Sequence, residues 1–486
     1  MFKRKREAEE KQAKPRHPWR ENLEALTMAV IVALVLKAFI IEVSKIPSGS
    51  MQPTLMGSPT AGVYDRVIVD KLAYRFRDPE RFEIVVFKHP LERSRNMVKR
   101  IVGMPSEELL IRHGDLWTRP DADSEWTVLR RPSPVEEETW KLLPPLESGP
   151  KAWSEAAGTD GWRFQEDGFE ARSSGTARFR ELQTIRNDYA DGYPAGVRKE
   201  AVAEGSANPR QGEEPVGDLR LDGTALVEAG CVEVVIELEE GPNRYRFRIP
   251  GPAAPAGSVA GVEIQDQPPV RDPETERIVR PEPRFVEAEA GRLEAGEEYS
   301  FRVQNLDDQV RFQLDGEWIA ESEVSHVANQ NSRISIRVEG TGAVLGDLRV
   351  YRDIFYLPAQ GESETRFEIP AGHYVVLGDN TLNSADGREW QRAGYVLDAD
   401  DGESRVIRGN WRPGESPSDP VREGGEKFVF FRDVWGERHQ IPGDGRNPNE
   451  RVRYSQVPRE LIHGRALAVF WPLKPFQGVW RLGWIH

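Results

Sequence analysis

An apolar run near the start of the sequence constrains the fold more than any other feature. Between residues 25 and 43 only Thr27, Lys37 and Glu42 interrupt the apolar side chains. A helix of this length would extend about 28 Å, close to the hydrocarbon thickness of a bilayer. The run therefore predicts a transmembrane helix over 25–43.

The charges on the two sides of this run are unequal. Residues 1–20 carry eight lysines and arginines against three glutamates, whereas residues 44–58 carry only Lys45. Basic residues beside a membrane span stay on its cytoplasmic side. The sequence thus predicts a basic cytoplasmic arm over 1–24, a single pass through the membrane, and an outward location for the remaining residues.

Two other interpretations of the run remain open. A cleavable signal peptide has the same order of charge and apolar core. Here, however, the basic segment is long, no Ala-x-Ala follows, and Pro47 stands where cleavage would be expected. A buried helix of a soluble domain would be apolar on one stripe, whereas this run is apolar all round. The sequence favours a retained anchor.

The composition indicates a mainly β protein of several domains. A chain of 486 residues is too long for one core, and 43 Gly with 36 Pro indicate many turns. The net charge of −14 argues against nucleic acid as a partner. Cys231 is the single cysteine, so an internal disulfide and a cysteine-based metal cluster are excluded. We expect no cofactor and no metal.

A serine follows the apolar run in a turn framed by proline and glycine. Ser50 needs a base to become a nucleophile, and none of the eight histidines has a convincing triad context. Lys99 fits this need, because in a strand it would share a face with Met97 and Ile101. Such apolar neighbours would lower a lysine pKa from about 10.4 towards 7–8. The alternative is an exposed lysine on a strand.

Five motifs in this order resemble those of the bacterial type I signal peptidases, which are membrane-anchored Ser/Lys proteases. The motifs cover less than half of the chain and lie at 46–55, 82–88, 99–105, 377–388 and 457–466. The resemblance implies a β-core that is interrupted by insertions. The predicted division after the helix is core segments 44–119, 353–394 and 451–486, and insertions 120–352 and 395–450.

The resemblance also implies a role for individual residues. Ser50 would be the nucleophile and Lys99 the general base, and Ser384 would orient the Lys99 amine. The Ser50 backbone N–H and the Ser48 hydroxyl would form the oxyanion hole, and Gly49 would let the backbone approach the scissile carbonyl. Pockets for small side chains, typically alanine at the first and third positions before the cut, would be lined by Ile46, Pro47, Met51, Leu55, Met97 and Val98.

The last catalytic motif departs from the usual family pattern. Thr381 and Leu382 stand where Arg and Asp are common, and Gly387 replaces a serine. The ion pair expected between Asp386 and Arg388 is spared, so we interpret the chain as a variant enzyme rather than an inactive one. The remaining supporting positions in this motif are Asp379 and Asn383.

The first insertion contains many short strands separated by turns, which predicts an inserted β-sandwich. Segments 309–318 and 346–352 resemble the concanavalin/laminin-G type jelly roll. Such a domain would bind a glycan or a protein partner, or would be a sandwich without a ligand. In the second insertion, the acidic residues of 398–403 suggest either a cation site or a solvated loop. Residues 470–485 mix tryptophan with basic residues, as interfacial segments do.

These observations lead to a hypothesis about function. The protein would be a serine endopeptidase of the bacterial inner membrane that removes signal peptides from exported preproteins on the periplasmic side. Its partners would be these preproteins and the lipid bilayer. Self-cleaving repressors share a Ser/Lys dyad but need a DNA-binding segment in place of the apolar run. The alternative is a membrane-anchored binding protein that uses the jelly-roll-like domain and has a degenerate protease core.

Overall fold

A computed structural model gives the fold of most of the chain. The residues that it describes are 18–60, 62–143, 152–155, 162–165, 167–180, 183–189, 191–193, 198–199, 203, 212–268, 270–271, 278–328, 330–398, 404–412, 421–423, 426–443, 445, 448–474 and 479–486. Most of the predicted basic arm, and residues 399–403 of the acidic loop, lie outside these ranges. Within them the chain is mainly β, as the sequence predicts.

The first described element, helix α1 (Pro18–Phe39), is followed directly by a strand. The predicted helix end at residue 43 is therefore wrong. The cause is the pattern Ile41-Glu42-Val43-Ser44, whose alternation and β-branched residues are typical of a strand. Apolar side chains of α1 such as Leu26 and Met28 are exposed. In the described part of the chain no helix has the length and hydropathy of a membrane span.

The first part of the core contains nine strands and a short helix, α2 (Ala73–Phe76). The strands are β1 (Ile41–Lys45), β2 (Gly57–Ser58), β3 (Val63–Tyr64), β4 (Arg66–Asp70), β5 (Ile84–His89), β6 (Glu92–Gly103), β7 (Glu108–Arg112), β8 (Asp115–Arg119) and β9 (Thr127–Val128). Strand β9 pairs with β8, so this part of the core reaches beyond the predicted boundary at 119.

The first insertion begins with helix α3 (Ser133–Thr139) and continues with strands. They are β10 (Lys141–Leu142), β11 (Trp153–Glu155), β12 (Arg163–Phe164), β13 (Phe169–Ala171), β14 (Gly175–Phe179), β15 (Leu219–Val227), β16 (Cys231–Glu240), β17 (Asn243–Pro250), β18 (Gly261–Gln265), β19 (Val270–Arg271), β20 (Ile278–Val279), β21 (Arg284–Glu287), β22 (Glu298–Leu306), β23 (Gln309–Leu314), β24 (Glu317–Glu323), β25 (Ser332–Gly340) and β26 (Ala343–Arg352).

The remaining strands belong to the later core segments and the second insertion. They are β27 (Thr365–Glu368), β28 (His373–Leu377), β29 (Gln391–Asp398), β30 (Ser404–Trp411), β31 (Val421–Glu423), β32 (Glu426–Arg432), β33 (Arg438–Pro442), β34 (Glu450–Arg453), β35 (Gln456–Pro458), β36 (Ile462–Trp471), β37 (Leu473–Lys474), β38 (Val479–Trp480) and β39 (Gly483–Trp484).

The core strands meet in one sheet although they are far apart in sequence. Its order is β1-β4-β36-β5-β6-β28-β35, with β39 paired to β36. A smaller sheet, β27-β7-β8-β9, packs beside it around a cluster that includes Val102, Leu109 and Val375. Strand β6 lies between β5 and β28: Lys99 pairs with β5, and β28 pairs with β6 from Arg100 to Gly103. This arrangement makes β6 a rigid place for a buried side chain.

The first insertion is a β-sandwich. One sheet has the order β12-β13-β26-β15-β22-β23-β24 with β10 on β26, and the other has the order β11-β14-β25-β16-β17-β18-β21. A shared apolar core that includes Trp153, Phe247 and Phe312 lies between the two sheets. The second insertion forms two three-stranded sheets, β30-β29-β34 and β31-β32-β33, around Tyr395 and Phe431. The finer jelly-roll assignment and the domain division stay predictions.

Candidate active site

The fold brings two distant segments together at the predicted serine and lysine. Ser50 lies in a single 3-10 turn, Gly49–Met51, which follows β1. Lys99 lies on β6 opposite Val85 of β5. Its amine donates a hydrogen bond to the Ser50 hydroxyl oxygen across 49 residues of sequence. The two side chains are therefore in direct contact.

Burial sets the chemistry of the Lys99 amine. Lys99 is 2% exposed and Ser50 is 9% exposed. Burial lowers the pKa of Lys99 to about 8, although the nearby carboxylates of Asp386 and Asp379 act in the opposite direction. At pH 7 roughly a tenth of such an amine is uncharged, against roughly one part in a few thousand for an ordinary lysine. An uncharged amine can accept the proton of the hydroxyl that it contacts.

The turn that carries Ser50 is tightly packed on its inner side. A Cβ atom at Gly49 would come within 2.6 Å of Gln52 Oε1 and 2.9 Å of Tyr189 Oη, so this position has no room for a side chain without movement. The Ser48 hydroxyl is 3.5 Å from that of Ser50, and Ser48 is exposed. The expected oxyanion-hole role of Ser48 stays a prediction that this placement permits.

The expected ion pair of the last motif is present. Arg388 donates two hydrogen bonds to Asp386, of 2.7 and 2.8 Å, and the Gly378 N–H donates a third of 3.0 Å. Burial alone would raise the pKa of Asp386, but the charge and hydrogen bonds of Arg388 outweigh it and hold that pKa below its ordinary value. Asp386 therefore stays ionised near Lys99.

The expected hydrogen bond from Ser384 to the Lys99 amine is not formed. The Ser384 hydroxyl is buried and forms no hydrogen bond of ordinary geometry within the described residues, although it lies close enough to the Asp386 carboxylate to help lower the pKa of Asp386. It lies against Gly378, where an added Cβ would be only 2.3 Å from it. The amine is instead directed to Ser50. The orienting role of Ser384 stays a prediction.

A second buried ion pair lies behind the dyad and was missed by sequence reasoning. Asp379 accepts hydrogen bonds from Arg100 Nε at 3.0 Å and Nη2 at 2.9 Å, and one from Thr54 Oγ1 at 2.6 Å. Burial would raise the pKa of Asp379, but Arg100 and Thr54 lower it below its ordinary value. Arg100 follows Lys99 on β6, so this pair fixes the strand and the last motif to each other.

The predicted substrate-pocket residues occupy different environments. Ile46, Met51 and Leu55 are buried in the core cluster that includes Val67 and Val86. These three side chains therefore pack on the core side of the Ser50 turn and support it. The members of the predicted pocket that retain exposure are Pro47, Met97 and Val98.

The first insertion contributes residues beside the Ser50 turn, which sequence reasoning did not find. Tyr189 and Tyr193 pack with Met56 and Val63, and Leu382 packs against the same cluster. Asn383 Nδ2 donates a hydrogen bond of 2.8 Å to Tyr189 Oη. The leucine at 382, where the family commonly has aspartate, is therefore explained by an apolar contact with the insertion.

A second buried lysine from the insertion also lies close by. Lys141 of β10 donates a hydrogen bond of 3.4 Å to the Asp379 carbonyl oxygen. Burial lowers the pKa of Lys141 to about 7. The Lys141 amine contacts Asp379 rather than a serine. We therefore assign Lys141 a structural role next to the site.

The fold and the site define a class of protein, namely a mainly β protein in which the amine of a buried lysine contacts a serine hydroxyl. A family model described as signal peptidase, peptidase S26, matches residues 19–129 and 308–406. The segments that carry Ser50, Lys99, Asp386 and Arg388 lie inside these matches. The resemblance to bacterial type I signal peptidases is therefore confirmed for this part of the chain.

Curated relatives agree with the family model. The "Probable signal peptidase I-2" of Synechocystis sp. is 37% identical over 116 residues, which are 23% of this chain and 50% of the relative. The signal peptidase I of Leptolyngbya laminosa is 32% identical over 148 residues, 29% of this chain and 64% of the relative. The signal peptidase I of Pseudomonas aeruginosa is 38% identical over 90 residues, which are 16% of this chain and 30% of that relative. The chain thus spans less than two thirds of the length of each of these relatives.

Solved structures match parts of the chain at low similarity. The carbohydrate binding module CBM66 from Bacillus subtilis matches with 10% identity and a TM-score of 0.25, covering 42% of this chain and 98% of the module. Sheep galectin-11 in complex with glycerol matches with 9% identity and a TM-score of 0.19, covering 28% of this chain and 90% of that chain. TM-scores this low carry no argument about the sandwich.

Proposed function

We propose that this protein is a serine endopeptidase that removes signal peptides from exported preproteins through Ser50 and Lys99. The observation that carries the proposal is the hydrogen bond between the buried Lys99 amine and the Ser50 hydroxyl. The similarity of the two matched segments to signal peptidases supports the same activity. The preproteins would be bacterial, with small side chains at the first and third positions before the cut.

The proposed reaction follows from the contacts of the dyad. The Lys99 amine takes the proton of the Ser50 hydroxyl while the oxygen bonds to the scissile carbonyl carbon. The Ser50 N–H and the Ser48 hydroxyl hold the oxyanion of the tetrahedral intermediate. The protonated Lys99 then gives its proton to the leaving amine as the C–N bond breaks, which leaves an ester on Ser50.

Deacylation uses Lys99 in the same order, with water as the nucleophile and the Ser50 oxygen as the leaving group. A water molecule loses a proton to the Lys99 amine and attacks the ester carbon. The Ser50 oxygen leaves and regains the proton from Lys99, and the signal peptide is released with a new carboxylate. The ion pair of Asp386 and Arg388 would keep the surroundings of Lys99 fixed during both steps.

The proposed location is the outer face of the bacterial inner membrane. Helix α1 exposes apolar side chains such as Leu26, Met28 and Leu34, and a lipid environment would cover them. Strand β1 leads from this helix directly to the Ser50 turn, so attachment of α1 to lipid would place the site near the bilayer. Flotation with lipid vesicles should recover the full chain and lose it after deletion of 18–39.

The experiment that tests the activity is cleavage of a precursor with Ala-x-Ala before the cut. The full chain should cleave it, whereas Ser50→Ala and Lys99→Ala should be inactive. Lys99→Arg should be inactive as well, because a guanidinium cannot be deprotonated to act as a base. Equal rates for all four proteins would overturn the proposal and would favour a binding role for the sandwich.

A further inference from the structure

A group of buried carboxylates lies where one end of the sandwich meets the core. Asp218 precedes β15, Asp307 lies in the turn between β22 and β23, and Asp353 follows β26. Asp115 belongs to β8 of the core hairpin. Acidic side chains from four separate segments therefore converge at one junction.

Three of these carboxylates are close enough to share one ion. Oxygens of Asp115, Asp218 and Asp307 all lie within 4.8 Å of one another. The residues are 8%, 6% and 5% exposed, so water does not screen their charges. Unpaired carboxylates in such an environment carry a large free-energy cost.

The positive charges beside the group do not balance it. Arg131 contacts Asp353 closely and lies 3.6 Å from Asp307. Arg130 donates its hydrogen bonds to the Asp307 carbonyl oxygen and to Glu323. Buried Glu240 adds a further carboxylate, which accepts hydrogen bonds from Tyr245 and Asn305. The junction therefore contains more buried acidic than basic side chains.

Buried polar atoms without hydrogen bonds point to a ligand at this junction. Asp353 Oδ1, Asp307 Oδ2 and the Tyr356 hydroxyl are buried and make no hydrogen bond among the described residues. The three residues line a cavity of about 10 Å³ together with Asp115, Gly114 and the Arg131 that pairs with Asp353, and Asp218 lies just outside this lining, next to Asp115 and Asp307. A cavity of this size holds about one ion or one water molecule. The Tyr356 hydroxyl is an observation independent of the acidic side chains.

We propose that Asp115, Asp218 and Asp307 bind a divalent cation of the calcium type that joins the sandwich to the core. The ligands would all be oxygens, which Ca²⁺ and Mg²⁺ prefer and which are poor selectors for zinc or copper. Ca²⁺ accepts six to eight oxygen ligands in a flexible geometry, whereas Mg²⁺ demands a near-ideal octahedron. Three carboxylates that come from separate segments of the chain suit the more flexible coordination of calcium.

The site would fix the position of the insertion relative to the core. Asp115 lies on the hairpin whose partner strand, β7, packs against the cluster of Val102 and Leu109. Asp218 and Asp307 belong to the sandwich sheet that also carries β10 and Lys141. A cation bound between them would connect the two units without contact with Ser50 or Lys99. The inference is thus separate from the proposed protease activity.

Calorimetric titration of the purified full chain with CaCl2, after removal of metals with a chelator, tests the site. We expect saturable binding, and an increase of several degrees in the melting temperature with calcium. Asp218→Asn and Asp115→Asn should each weaken binding by at least tenfold. Glu287→Gln, a change of an exposed acid on β21, should bind calcium like the unmodified chain.

Two results would overturn the site. One is the absence of calcium binding in the unmodified chain together with a melting temperature that chelation does not change. The other is a gain in stability for Asp218→Asn in chelator and in calcium alike, because it would show that the carboxyl groups share protons instead of a cation. The calcium response of the unmodified chain decides the question even if a variant fails to fold.

Discussion

The proposed catalysis depends on the position of the Ser50 hydroxyl, and close packing around the Ser50 backbone sets that position. A Cβ atom on Gly378 would lie 2.3 Å from the Ser50 carbonyl oxygen and 2.3 Å from Ser384 Oγ. The first of these neighbours is backbone, so it can move only by shifting the nucleophile itself. The absence of a side chain at Gly378 therefore helps to fix the position of Ser50, in addition to its place in the last catalytic motif.

We predict that Gly378→Ala lowers kcat/KM by about 100-fold, since a displacement of about 1 Å at a reacting group has such an effect. Cleavage of a defined peptide measures it. Gly291→Ala is the matched control, because a Cβ there meets nothing within 4 Å. Equal activity of Gly378→Ala and the control would contradict the packing described for Ser50.

The Arg100–Asp379 pair leads to a prediction about stability. Replacing Arg100 by methionine leaves Asp379 buried without its main partner, which should cost about 3–5 kcal/mol of unfolding free energy. Denaturant unfolding measures this loss. Arg95→Met on the same strand removes an exposed arginine and should change stability by less than about 0.5 kcal/mol. Similar losses of unfolding free energy for both variants would show that the buried Arg100–Asp379 pair contributes no more to stability than an exposed arginine.

At the scale of elements, the contact between the first insertion and the last motif explains a departure from the family pattern. Leu382 packs against the cluster of Tyr189 and Tyr193 and also against that of Val216, Phe355 and Leu357. The leucine is thus adapted to the insertion. A residue that is common in the family would be unsuitable here.

We predict that Leu382→Asp destabilises the chain by about 1–3 kcal/mol and lowers activity, because it places a carboxylate among apolar side chains. Leu382→Met should be nearly neutral, since it conserves volume and polarity. Thermal unfolding and peptide cleavage measure the two effects. Higher activity of Leu382→Asp would indicate that the insertion does not shape this motif.

Sequence reasoning recovered the residues of short motifs and missed their distant partners. Ser50, Lys99, Asp386 and Arg388 were predicted because local patterns and family boxes contain them. Thr54 and Arg100 pair with Asp379 across 325 and 279 residues, and Asn383 reaches Tyr189 across 194. No local periodicity encodes contacts of this range.

The sheet patterns were predicted where side chains alternate, as in the sandwich. The end of α1 was not predicted correctly. Residues 40–43 continue the apolar composition of the helix, but their alternation of side chains already belongs to β1. Composition alone cannot separate these two states.

Two groups of exposed apolar residues in the described chain flank the core. One is α1, and the other is the segment from Arg481 to the end, which docks through β39 and an ion pair of 2.9 Å between Arg481 and buried Asp65. In this segment Leu482 is 63% exposed and Trp484 is 76% exposed. These side chains suit contact with a lipid surface.

We predict that replacing Leu482 and Trp484 together by serine lowers cleavage of a vesicle-bound precursor several-fold and leaves cleavage of a soluble peptide unchanged. Trp435→Ser, an equally exposed tryptophan on the second insertion, is the control and should affect neither. Equal losses on both substrates would show that the segment acts through the fold of the core.

The pH dependence of kcat/KM on a defined peptide tests directly whether an uncharged Lys99 acts as the base for Ser50. Because Lys99 must be uncharged to act as the base, activity should rise with pH through about 8, where burial places its pKa, and level off above. Lys141→Met should keep this limb, since Lys141 does not contact Ser50. A limb near the ordinary lysine value of about 10.4, or one that disappears in Lys141→Met, would contradict the account.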